Sequence, residues 1–240
     1  MTQPSNTFKV ATDLFLIQMK WSLWFIPIVF AIYLIVIPLV PNLEELDLNF
    51  LAFQFQPSKI YMLVIGILTC FAFMSHYVKY GVTRNDYFYG AALAAIGVAI
   101  SITVTSAILA GILQFTGTFI SFSPGTANME FIHSSSTWLV PIIVYSLIII
   151  TYYIAGWLIA IGFYRYGGFG GMGFILISIT FITLIDLLWE GDPTAPMLGW
   201  LSIPFPNLSF SVAAILSGLV IVCGMWITLL TTKRVTIKVE

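Results

Sequence analysis

Few residues in this 240-residue chain have the types and spacing that chemistry requires. A serine nucleophile needs a base within hydrogen-bond reach. The two histidines are His76 and His133, the second followed by Ser134, Ser135 and Ser136, a polar run typical of a loop. Ser217-Gly218 lies in an apolar stretch, but Ile215 stands where a GxSG pattern has glycine, and neither histidine belongs to the same stretch. An HExxH pattern and paired aspartates within apolar runs are both missing. Cys70 and Cys223 sit inside apolar runs, away from any CxxC or Cys/His spacing, and read as small core residues. The glycine run from Tyr166 to Gly173 joins two apolar segments, and no G-K-[ST] follows it, so a tight turn is expected there rather than a phosphate loop. These patterns predict a chain that is not an enzyme and that carries no metal or cofactor of its own.

With 60% hydrophobic and 8% charged residues, the composition departs from that of soluble domains, in which about a quarter of residues are charged. The mean hydropathy of +1.02 belongs to a membrane protein. A net charge of −1 leaves no basic surface for nucleic acid. The first twenty residues lack the basic start, short apolar core and cleavage site of a secretory signal, so they are expected to be retained.

A bilayer is crossed by roughly 20 apolar residues. Six runs approach that length, at about 21–41, 60–80, 88–113, 137–164, 172–189 and 209–231. The expected fold is therefore an all-α integral membrane protein, a single domain over 1–240 with six transmembrane helices. In that arrangement Lys9, Lys20, Lys79, Arg84, Arg165, Lys233, Arg234 and Lys238 share one side, and only Lys59 falls on the other. Retention of positive charge on cytoplasmic flanks then predicts cytoplasmic termini. Glu44, Glu45, Asp47, Glu130, Glu190 and Asp192 would lie outside. Asp186 is the one acid within a span, about a turn from its outer end, where water would reach it. With span centres otherwise free of charge, ion-coupled transport is disfavoured.

Two further patterns concern the helices themselves. On a helical wheel Lys9, Asp13 and Lys20 share one arc, while Phe8, Ala11, Phe15 and Met19 share another, which predicts an interfacial helix over about 7–20, the alternative being a cytoplasmic extension of span one. The third span carries Ala91, Ala95, Ala99, Thr103, Ala107 and Gly111 at an unbroken spacing of four. Small residues at that interval let helices approach closely where lipid removes the hydrophobic drive, so this span is expected to pack against protein.

The most informative connection joins spans two and three. Gly81 suits the position just past a helix end, and Thr83 with Asp86 has the T-x-x-D spacing of a capping box. One helix should end and the next begin within a few residues, leaving a rigid corner that bears Lys79 and Arg84 among Tyr77, Tyr80, Tyr87 and Phe88. Aromatic and arginine side chains are common anchors of protein interfaces, and tyrosine and lysine are equally at home at a lipid headgroup boundary.

The string Lys79-Tyr80-Gly81-Val82-Thr83-Arg84-Asn85-Asp86-Tyr87-Phe88, after the second of six spans, resembles the first cytoplasmic loop of ABC-2-type permeases, the membrane subunits of bacterial ABC exporters. The interfacial N-terminal helix, the short second inner loop and the long outer loop before span six are similar to that family. The resemblance implies that residues 79 to 88 dock on a separate ABC ATPase subunit, in two copies, with the helix from Phe8 to Lys20 beside them. ATP and Mg would be held by that ATPase. It also implies a second permease chain, identical or not, and a pathway for an apolar or amphipathic peptide, lipid or drug across the bacterial plasma membrane. The Pro-rich stretch 190–208, with Trp200, Phe205 and Leu208, corresponds to the place where such exporters put short re-entrant helices. A non-transporting sensor or accessory subunit of a larger complex is the alternative.

Overall fold

The computed structural model describes residues 6–39, 50–120, 139–189 and 209–233, and among these the chain is all helical. Helix α1 runs Asn6–Leu39 and α2 runs Phe50–Leu68; α2 continues through a π-helical stretch, Thr69–Met74, into the short α3, Ser75–Lys79. Helices α4 (Arg84–Ile120), α5 (Leu139–Trp189) and α6 (Phe210–Lys233) complete the bundle. Five helical stretches are long and apolar enough to cross a membrane, with α2 through α3 counted as one. That is the signature of a helical membrane protein. The expected re-entrant segment at 190–208 and the acidic residues Glu44, Glu45, Asp47, Glu130, Glu190 and Asp192 lie outside the described residues.

Three boundaries differ from the expectation. The N-terminal helix is not separate from the first span, because Asn6–Leu39 is one uninterrupted helix. Its buried stripe, Val10, Leu14, Gln18, Ser22, Ile26, Val29 and Tyr33, keeps a spacing of three or four from end to end, so the same face stays against the bundle. Lys9, Asp13 and Lys20 are exposed, as is Phe8, while Ala11 is buried and Phe15 half-buried. The second span starts at Phe50 rather than residue 60. Its first turns carry Gln54, Pro57, Ser58 and Lys59, which look like a loop in sequence, but Gln54, Ser58 and Lys59 are buried in the fold. The third difference is α5, whose 51 helical residues are broken by a single residue, Gly167, at φ 70° and ψ −161°.

Glycine alone tolerates that backbone geometry without strain. Beyond it the helix folds back on itself, so that Gly162 packs against Phe174 and Gly171 against Phe163. Ser178 donates to the Ala155 carbonyl at 2.9 Å, and Tyr166 stacks on Phe174. The two limbs of α5, 139–166 and 168–189, are thus antiparallel neighbours around an exposed tip at Phe169.

The tightest crossing is between α2 and α5. A methyl group built on Gly66 would overlap the Tyr153 carbonyl oxygen, and one on Gly156 would overlap that of Leu63. Each glycine lets the partner backbone into the space a side chain would fill. On α4, Gly97 admits the Phe15 ring of α1 in the same way, and Gly90 admits the Val10 side chain with the Thr7 carbonyl beside it. Of the four-residue stripe, Ala91, Ala95, Ala99, Thr103 and Ala107 are buried, whereas Gly111 faces open space.

Alanine is ordinarily about 1 kcal/mol better than glycine inside a helix. At Gly66 and Gly156 the backbone overlap reverses that sign, and either Gly→Ala substitution will cost about 1–3 kcal/mol, the usual range for overpacking. Gly111→Ala, which meets nothing, will be neutral or stabilising. Reversible unfolding in mixed detergent micelles measures all three, and equal effects at the three sites would contradict the crossing described.

Candidate functional site

The corner between α3 and α4 forms from a few local rules. Tyr80 and Gly81 donate backbone N–H groups to the last carbonyls of α3, and Gly81 has φ 85°, the left-handed cap conformation. Two residues later Thr83 caps α4: its hydroxyl accepts the Asp86 N–H at 3.1 Å and donates to Asp86 Oδ2 at 2.7 Å. Thr7 of α1 donates to the other carboxylate oxygen at 2.8 Å. Both hydroxyls favour the charged form of Asp86, which also suits the positive end of the α4 dipole.

The corner is tied to the rest of the bundle at two more points, Arg84 and Tyr87, and Arg165 of α5 reinforces the first. Arg84 donates to the Lys233 carbonyl at 3.3 Å, and Arg165 donates to that of Thr231 at 3.2 Å. Two guanidinium groups therefore cap the last turn of α6. Tyr87 is fully buried, and its hydroxyl donates to the Thr69 carbonyl at the start of the π-helical stretch. Thr69 in turn shares a 2.8 Å hydrogen bond with Tyr153, and the Gln18 amide donates to both hydroxyls. Such π-helical segments recur at functional sites because they leave backbone groups open to side-chain partners.

Of the ten residues of the corner, Lys79, Tyr80, Gly81, Thr83 and Asn85 are exposed, and Val82, Arg84 and Asp86 are half-buried. Tyr80, at 78% exposure, is the exposed aromatic of the corner. Tyr87 and Phe88 point into the core, with Phe88 against Trp157, so these two are not surface residues. Their aromatic character serves packing and the link to Thr69.

A second site was not legible in the sequence. Lys59 and Asp186, expected as a loop residue and a solvated helix end, are 2% and 0% exposed and form an ion pair at 3.2 Å. Tyr152 donates to the other Asp186 oxygen at 2.6 Å. The Lys59 ammonium also lies 4.7 Å from the centre of the Phe55 ring, within cation–π range. Lys59 is ten residues into the α2 span and twenty from Lys79, about 30 Å along the helix from the corner. The expectation of spans without buried charge therefore fails. The one signal in the sequence was Lys59 itself, the single basic residue on the acidic side. Ionisable residues within membrane helices are costly and mark functional positions by default.

Among the described residues no group of three His, Cys, Asp or Glu side chains is arranged to hold a metal. Comparison with protein-family models, with curated proteins and with solved structures finds no match to this chain.

Two outcomes follow from this geometry. Lys59→Met will leave a buried carboxylate without its cation and cost about 3–5 kcal/mol, whereas the double variant Lys59→Met/Asp186→Leu will recover most of that loss. A double-mutant cycle read by unfolding in detergent measures the coupling, and additive effects would show that the pair does not interact. Thr83→Ala will cost about 0.5–2 kcal/mol through loss of the α4 cap. Hydrogen exchange in the first turn of α4 should rise with it, and unchanged exchange there would argue against the cap.

Proposed function

We propose that this chain is the membrane-spanning permease subunit of an ATP-driven exporter of the ABC-2 type. The two limbs of α5 each cross the bilayer, giving six crossings, with both termini and the α3–α4 corner on the cytoplasmic side of a bacterial plasma membrane. A separate ATPase subunit docks on the exposed face of that corner, Lys79, Tyr80, Gly81, Thr83 and Asn85. Two permease chains, each with its ATPase, enclose one pathway for an apolar or amphipathic peptide, lipid or drug. ATP and Mg belong to the ATPase.

The observation that carries this reading is the construction of the corner. It presents an exposed aromatic and cationic face on a doubly capped turn. It is also bonded to α1 through Thr7, to α6 through Arg84 and to the π-helical continuation of α2 through Tyr87. Force applied to such a corner reaches three helices at once, which is what a lever for a two-state transition needs. The N-terminal turns of α1 lie beside it and extend the docking face through Lys9 and Asp13.

A second reading is favoured by the Lys59–Asp186 pair, since charge within the bundle is what an ion-coupled carrier uses. The two separate on energy source: an exporter stops without ATP, whereas a carrier runs on an ion gradient.

Co-purification with an ATPase encoded beside the gene tests the leading reading. Wild type should retain the ATPase, and Lys79→Glu/Tyr80→Ala should lose at least tenfold of it while keeping its own thermal stability. Retention of the ATPase by the double variant would refute docking at the corner. Absence of any ATPase association with the wild type would favour the carrier or a non-transporting sensor subunit.

A further inference from the structure

We infer that the bundle holds an ordered water molecule in a small cavity between α2, α4 and α5, bound by the side-chain amide of Gln54. Gln54 is 1% exposed, yet neither its Nε2 nor its Oε1 has a hydrogen-bond partner. An amide buried in apolar surroundings without partners costs about 2–7 kcal/mol, so a folded membrane helix does not keep one at such a position without compensation. The cavity that this residue lines supplies the room. Its volume is about 10 Å³, the space one water centre occupies and too little for any larger solute.

The lining also has the right chemistry. Ser58, Thr103, Ser106 and Tyr145 contribute to the lining together with Gln54, the Phe55 ring and three aliphatic side chains. Ser106 spends its proton on the Ile102 carbonyl at 2.7 Å, and Thr103 lies 2.9 Å from Ser146. A hydroxyl that has donated still has lone pairs to accept with. A water here accepts from Gln54 Nε2 and donates to Gln54 Oε1 and to the Ser106 hydroxyl. That gives it three partners, the usual number for an internal water. The site adjoins the ion pair, since Phe55 stacks on Tyr145 at 4.2 Å and carries the Lys59 ammonium near its ring. The Phe50 end of the α2–α5 contact is therefore wet at one defined point. This inference stands independently of the exporter reading.

Radiolytic hydroxyl labelling of the full chain in phospholipid nanodiscs, read by mass spectrometry, tests it. Ordered water generates radicals in place, so Tyr145 and Phe55 should be labelled at least fivefold above Tyr87, which is buried with its hydroxyl already bonded to the Thr69 carbonyl. Gln54→Met, close in length and unable to hydrogen-bond in the same way, should lower that labelling at least threefold with little loss of thermal stability. Ser106→Ala should give a smaller drop in the same residues and serves if Gln54→Met fails to fold. Labelling of Tyr145 and Phe55 no higher than Tyr87 in the wild type, or unchanged labelling in the folded variants, would overturn the site. Labelling should be identical in sodium and N-methylglucamine buffers; a dependence on sodium would overturn water in favour of a bound cation.

Discussion

In a bilayer the surrounding solvent is as apolar as the helices, so burying leucine against leucine gains little. What holds this bundle together is the crossing of α2 and α5, where Gly66 and Gly156 allow backbone to touch backbone. The polar groups are arranged around that crossing. Toward one end lie Lys59, Asp186 and Tyr152; toward the other lie Thr69, Tyr153 and Gln18. Adjacent residues of α5, Tyr152 and Tyr153, serve the two clusters separately. The crossing fixes α5 closely enough for each hydroxyl to meet its partner.

The remaining helices attach to this axis by different means. The C-terminal limb of α5 is held by Asp186 and by the Ser178 bond to Ala155, and the single residue Gly167 permits its reversal. Helix α6 is fixed at one end by Trp189, whose indole donates to Ser217 at 2.7 Å, and at the other by the two arginines on its last carbonyls. Helix α1 packs along α4 through Gly90 and Gly97 and is pinned by Thr7 at the corner. The corner is thus a junction between elements rather than a loop on the surface.

Much of this was legible in sequence, and the failures have physical causes. The capping box Thr83–Asp86 and the cap glycine Gly81 are local signals, read within four residues, and both form. Helix positions followed from runs of apolar residues, and all the described helices occur where such runs lie. Gly66 and Gly156 were not legible, because an isolated glycine carries no repeat; the repeated stripe on α4 drew attention instead. Lys59 and Asp186 were misread because each was judged alone. In sequence, Gln54, Pro57, Ser58 and Lys59 look like a polar connection, and only the pairing with a residue 127 positions away makes a helix there affordable. The continuity of α1 was hidden for a related reason: charged residues on its exposed face suggested a surface helix, but the buried stripe continues unbroken through residue 20.

The central functional claim is that the exposed face of the α3–α4 corner is a docking site for an ATPase, and its most direct measurement is site-specific photo-crosslinking in native membranes. A benzophenone amino acid at Tyr80, 78% exposed on the corner, is compared with the same group at Trp226, which is exposed on α6. The account predicts a crosslink from position 80 to a nucleotide-binding ATPase subunit, altered in yield when ATP hydrolysis is trapped with vanadate, and none from position 226. Crosslinks from position 80 to lipid alone would contradict it.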